Sequence, residues 1–195
     1  GPLTADQKEV VAILDSSSRH LLQLIDQLLD YNRKLADTPT ELERVEIEEI
    51  VDIVVASHSL PARAKMIHTD VTLAIEHCWA ETTLLMRVID NLYSNAVHYG
   101  KESGNIWIHS RQIGNRVQID VANNGTPIPD AERSMIFEPF YQGSHQRRGA
   151  VKGSGLGLSI ARDCIRRMRG ELSLITVDYA DVCFRIELPL LSDNE

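Results

Sequence analysis

Nowhere in the 195 residues does an apolar run reach the ~18 residues that a membrane-crossing helix needs, and no leader segment can be read at the start. These absences predict a soluble, globular chain. Cysteine is scarce: Cys78, Cys164 and Cys183 form no CxxC pair and no even set, which excludes a disulfide framework and predicts buried thiols in a reducing compartment. Positive charge is also short. Lys and Arg number 20 against 28 Asp and Glu, a net charge of −8, and no basic stripe carries interleaved aromatics, so a nucleic-acid binder is excluded. Internal repeats are absent, and low complexity is confined to Ser16-Ser17-Ser18. The length suits one domain plus a smaller element.

What is there begins with a capping box, Thr4-Ala5-Asp6-Gln7. After it Val10, Leu14, Ser17, Leu21, Leu24, Leu28, Tyr31 and Leu35 recur at alternating steps of four and three, a heptad seam that Val11, Leu22 and Ile25 widen. One long bundle helix is predicted. Its partner is either sequence outside this chain, a second copy, or the chain's own domain. Asp37-Thr38-Pro39-Thr40 ends the helix, because proline disfavours helix at the residue before it. The expected domains are therefore 1–38, a linker at 39–43, and 44–195. In the last, pattern predicts a strand at 44–47, a helix over 48–64 and a strand at 66–75. A helix over 81–99 follows, then strands at 106–112 and 117–121, a helix after Gly157, and closing strands at 171–177 and 182–188. Segregated strands and helices point to α+β, a two-layer sandwich with a mixed sheet covered by helices on one face.

Three segments carry polar or glycine patterns that packing alone does not require. In VKGSGLGLSIARD, Gly153, Gly155 and Gly157 alternate before a helix. The spacing fits neither GxGxxG nor GxxxxGK[ST], yet alternating glycines admit close backbone approach and the helix N-terminus offers free N–H groups to anions. A purely structural glycine turn stands equally on this evidence. In VIDNLYSNAVHYG, Asn91, Asn95 and His98 share one helical face, while Val88, Leu92 and Val97 pack elsewhere. The strand ending at Val121 runs into Asn123-Asn124-Gly125-Thr126-Pro127-Ile128-Pro129, a polar turn at the mouth of a sheet.

In this order the segments resemble the N box and the two glycine boxes of the GHKL (Bergerat) ATP-binding fold, shared by bacterial sensor histidine kinases, gyrase and heat-shock chaperone ATPases. Phe137-Glu138-Pro139-Phe140-Tyr141 resembles the kinase F box, and the heptad helix resembles the second helix of the kinase dimerisation hairpin. The resemblance implies ATP or ADP and Mg²⁺ as ligands. It makes Asn95 the Mg²⁺ ligand, with Asn91 as a second candidate, and puts His98 where the family has Lys or Arg near the phosphates. Tyr99 either lies against the nucleotide or packs ordinarily. Asn123 takes the place of an adenine-reading Asp, or else forms an Asx turn; Gly125 and Ile128 follow, and Pro127 replaces a second glycine. Phe140, Gly153, Gly155, Leu156, Gly157 and Leu158 complete the expected nucleotide site, with Arg147, Arg148 and Lys152 on a basic segment in the place of the family's mobile lid. Arg166, Arg167 and Arg169 are expected only to complement their helix's C-terminal dipole.

Hydrolases of this fold carry a general-base Glu one turn before the metal-binding Asn; here that position is Asn91, and an amide takes no proton. Histidine kinases need no such base, because a neutral imidazole is already nucleophilic. The expected function is thus ATP binding and phosphoryl transfer to a histidine, for relay to a response regulator; the alternatives are a nucleotide-binding module without kinase chemistry and another GHKL ATPase. His20 is followed by Leu21-Leu22-Gln23-Leu24 rather than an acidic residue, so the phosphoacceptor helix is expected outside this chain. His58, His68, His77, His109 and His145 show no metal or catalytic spacing. The resemblance further implies a homodimer through the bundle helix and the cytoplasmic portion of an inner-membrane sensor.

Overall fold

The computed structural model describes Thr4, Val11 and residues 40–143 and 154–190. The chain divides into two units, Gly1–Thr38 and Pro39–Glu195. Apart from Thr4 and Val11, the expected bundle helix lies outside the described residues.

Strand β1 (Glu43–Glu46) runs directly into helix α1 (Ile47–Ser57), which buries Ile47, Ile50, Val51 and Val54 at steps of three, one and three. The helix expected over 48–64 is in fact two, α1 and α2 (Ser59–Ala64), meeting at His58. Proline explains the break. In an unbroken helix Pro61 would have no N–H for the Ser57 carbonyl and its ring would clash there, whereas in the first turn of a new helix neither matters. Met66, at φ +54°, turns the chain into strand β2 (His68–Leu73). A four-residue strand that pattern does not reveal, β3 (His77–Ala80), pairs antiparallel with β1 to make a separate two-stranded sheet.

Helix α3 (Thr82–Tyr99) opens under the Glu81 carboxylate, which accepts from the N–H groups of Thr83 (3.2 Å) and Leu84 (2.7 Å). Its buried stripe is Leu85, Val88, Ile89, Leu92, Tyr93, Ala96 and Val97. At the far end the Lys65 ammonium donates to the carbonyls of Val97 (2.7 Å) and His98 (2.5 Å), a cation where the helix dipole is negative.

The main sheet contains β4 (Asn105–Ile113), β5 (Arg116–Asn123), β6 (Glu171–Ile175) and β7 (Val182–Pro189) in the order β2-β4-β5-β7-β6, with β2 parallel to β4 and every other pair antiparallel. Alternation sends Ile106, Ile108, Val117, Ile119, Val121, Ile186 and Leu188 into one core with the stripes of α1, α3 and helix α4 (Gly157–Arg167). The fold is the expected α+β mixed sheet with helices. On the other face the buried Asp120 carboxylate receives both arms of Arg185 at 2.7 and 2.8 Å, with Arg111 at 3.3 Å. All three cysteines are buried, and none is in a disulfide. Among the described residues no helix is long and apolar enough to cross a membrane.

Candidate functional site

Helix α3 buries one stripe, so its polar stripe is turned toward the start of α4 and the exit of β5. Asn91 and Asn95 are half-buried; His98 and Tyr99 are exposed, the imidazole edge-on to the phenol at 4.6 Å. The Asn91 amide donates to the Arg87 carbonyl at 3.0 Å. Its oxygen faces Gly157, where a Cβ would stand 2.9 Å from it. Gly157 is thus a glycine for space: it lets the first turn of α4 meet the amide. Among the described residues nothing hydrogen-bonds the Asn95 side chain, and α4 begins at Leu156 without a side-chain cap. The first N–H groups of α4 are free to meet an anion.

At the other end of the stripe, Asn123 closes β5 on the same face as Ile119 and Val121, in register with Ile106 and Val182. The fold holds the first residues of the following turn by several hydrogen bonds. The Asn123 carbonyl accepts from the Asp181 N–H (3.2 Å), and the Asn124 N–H donates to the Asn105 carbonyl (3.0 Å). The Asn124 carbonyl accepts from the Lys101 N–H (2.9 Å) and from Asn123 Nδ2 (3.1 Å). Asn124 Oδ1 accepts from the Asn105 N–H (3.1 Å), and the Gly125 N–H donates to Asp181 Oδ2 (3.0 Å). Asn123 Oδ1 accepts no hydrogen bond among the described residues; Asn123 as a whole is only 4% exposed, and this oxygen is its point of contact with solvent. Gly125 pairs with Gly100, and a Cβ on it would fall 2.7 Å from Asn123 Nδ2 and 2.8 Å from the Tyr99 carbonyl. The end of α3 and the β5 turn therefore form one piece. Gly125 is needed for room and not for a left-handed backbone; Ile128 beyond packs on the core.

The aromatic motif meets the glycines next. Phe137 is buried edge-on to Phe184 (6.1 Å), with the Arg162 guanidinium over its ring at 5.4 Å and 3.4 Å from Glu138. Phe140 is 69% exposed and held at φ +64°, its N–H donating to the Gly155 carbonyl at 2.9 Å. Gly155 lies at φ +71°, and a Cβ there would come within 2.7 Å of the Phe140 backbone and the Tyr141 carbonyl. No other residue fits. Leu156 is buried and Leu158 half-buried against the core. Arg147, Arg148, Lys152 and Gly153 lie outside the described residues.

Asn91 and Tyr99 are eight residues apart, about 12 Å of helix at 1.5 Å per residue. One end of this stripe presents an open acceptor oxygen, the other an amide beside a helix N-terminus. None of Asn91, Asn95 or Asn123 can take a proton. Among the described residues no group of His, Cys, Asp or Glu forms a metal cage. Sequence reasoning missed Asp181 and Lys65, which hold the turn and the end of α3; neither sits in a motif, and each meets its partner only through the fold.

The family model for the histidine kinase-, DNA gyrase B-, and HSP90-like ATPase matches residues 80–192. Over 189 residues the chain is 71% identical to the sensor histidine kinase GlrK of Escherichia coli (strain K12), an alignment covering 97% of this chain and 40% of that protein. The chain thus spans about 40% of that relative's length. The nucleotide-free catalytic domain of histidine kinase ThkA superposes with a TM-score of 0.66 at 28% identity, covering 76% of this chain and 95% of the other. Full-length ShkA, solved with AMPPNP, superposes with a TM-score of 0.79 at 28% identity, covering 97% of this chain and 40% of that one.

Proposed function

We propose, from the premise that the chain belongs to the histidine kinase-, DNA gyrase B-, and HSP90-like ATPase family, that it lays ATP along the polar stripe of α3 and serves phosphoryl transfer to a histidine on another helix. Its second unit is the ATP-binding catalytic domain of a sensor histidine kinase. The observation that carries the placement of the base is Asn123 Oδ1, an acceptor that no donor of the fold reaches, on an amide whose Nδ2 is already bonded to the Asn124 carbonyl. An exocyclic amine supplies the donor that the fold does not. Tyr99 and Gly125 border that end, and Ile128 and Phe140 would complete the walls of the site.

The phosphates then fall toward Asn91 and the free N–H groups of α4, along Gly153, Gly155, Leu156, Gly157 and Leu158. Arg147, Arg148 and Lys152 supply positive charge around them, and His98 adds to it only when protonated. Asn95 would hold Mg²⁺, with Asn91 beside it: an amide oxygen suits a hard cation that shares phosphate oxygens, and the bound ion would neutralise charge on the transferring group. With an amide at Asn91 the chain has no base there to activate water. Attack by an imidazole nitrogen needs none: the new P–N bond forms as the bond from the γ-phosphorus to ADP's oxygen breaks, and the imidazole gives up its N–H proton. The whole kinase would add the acceptor helix, a bundle dimer, a response regulator as recipient, and a place on the cytoplasmic side of a membrane sensor.

The test is transfer in trans. Given Mg-ATP and a supplied phosphoacceptor helix, the chain labels the helix histidine with an acid-labile, base-stable phosphate, while phosphate release without the helix stays low. Release that is fast and needs Asn91 would make it a hydrolase instead.

A further inference from the structure

Asn123 has a property that a carboxylate in its place would lack: its two terminal atoms are not equivalent. Turned by half a rotation, the amide presents Nδ2, a donor, where Oδ1 now stands. An acceptor that suits an adenine amine would become a donor that suits the guanine carbonyl. The nucleotide site therefore needs something that fixes the amide.

The direct lock is the Asn124 carbonyl, which accepts from Asn123 Nδ2 at 3.1 Å. A carbonyl can do this only if its own peptide is held. Lys101 N–H holds it from one side at 2.9 Å. Asp181 holds the residues on both sides of it. Its N–H donates to the Asn123 carbonyl at 3.2 Å, and its Oδ2 accepts from the Gly125 N–H at 3.0 Å. Asp181 stands just before Val182, the β7 residue in register with Asn123, so the ladder itself delivers it to the turn. Two bonds from one residue thus bracket Asn124.

We propose that Asp181 is a positioning residue of the nucleotide site, which keeps Asn123 Oδ1 toward the base and so sets the preference for adenine over guanine. This rests on the nucleotide-site reading above. Asp181 is exposed, and its carboxylate adds no apolar packing to the core, so its removal leaves the fold standing. Its effect is on the geometry of one amide.

The test measures ADP and GDP affinity for the wild type, Asp181→Ala, Asp181→Asn and Asn123→Ala, with melting temperature followed in each. Asp181→Ala should weaken ADP binding roughly 3- to 10-fold, the worth of one net hydrogen bond, and narrow the ADP-to-GDP ratio. Asp181→Asn keeps an acceptor for Gly125 and should restore both. A purely structural role would lower the melting temperature and leave the ratio alone. As a second readout independent of ligand, the Asn123 side-chain NH₂ signals should be protected from exchange in the wild type and lose protection in Asp181→Ala. An unchanged ratio and unchanged protection in Asp181→Ala, while Asn123→Ala loses ADP, would overturn the role of Asp181 alone. A wild type that binds no ADP, or binds it no better than Asn123→Ala, would overturn the nucleotide-site reading and this inference with it.

Discussion

The amide oxygen of Asn91 lies so close to Gly157 that a single added methyl group would stand 2.9 Å from it. The contact joins the polar stripe of α3 to the first turn of α4 and separates stability from function. Alanine is better than glycine by about 1 kcal/mol in a helix interior and by less at this first position, so Gly157→Ala should melt near or above the wild-type temperature if Asn91 swings aside. Swinging Asn91 aside disturbs the phosphate end. The expected outcome is a protein of unchanged or higher melting temperature that binds Mg-nucleotide at least several-fold more weakly by calorimetry; equal affinity would mean that the Asn91–Gly157 contact plays no part in binding.

Gly155→Ala should behave in the opposite way. Its φ of +71° costs a side-chain-bearing residue roughly 1–2 kcal/mol, and its Cβ would press on the Phe140 and Tyr141 backbone, which cannot step aside as a side chain can. Denaturant unfolding should show a loss of at least that size, with an unchanged m-value.

Burial pushes the thiols of Cys78 and Cys183 up to about 12, with Glu46 adding to the effect at Cys78 and Asp120 at Cys183. Both groups are neutral when protonated, so a raised folded value means that the native state holds its protons while the unfolded chain, at its ordinary value of about 9, gives them up. The stability they contribute is complete below pH about 9 and is lost as pH climbs toward about 12. Iodoacetamide at pH 8 should leave both thiols unlabelled in the native protein and label them in denaturant. The alkaline arm of the pH–stability curve should flatten in Cys78→Ala and Cys183→Ala, each compared with its own neutral-pH value.

Glycine is the most legible residue type, because its reasons are steric and local: Gly155 and Gly157 stand in the alternating pattern of the sequence. The Asn91, Asn95 and His98 stripe was equally legible, since three- and four-residue spacing fixes a helical face whatever lies opposite. The α+β layering followed from element order. Less legible were features made by contact at long range. β3 is only four residues, and its pairing with β1 supplies what pattern lacks. The break at His58 needed Pro61 to be weighed above the apolar spacing. Asp181 meets Gly125 from 56 residues away, and no periodicity announces it.

The central claim is that the stripe from Asn123 to Asn91 binds a metal-linked adenine nucleotide, and its most direct test is calorimetric titration of ADP and AMP-PNP, with and without Mg²⁺, into the wild type and Asn95→Ala. Asn95 is half-buried, and among the described residues its side chain bonds to nothing, so alanine should leave the melting temperature within about 0.5 kcal/mol of wild type in stability. The account predicts that the wild type binds both nucleotides more tightly with Mg²⁺ and that Asn95→Ala keeps only the metal-independent part. Identical Mg²⁺-dependent binding in the two proteins, or no nucleotide binding by the wild type at all, would contradict it.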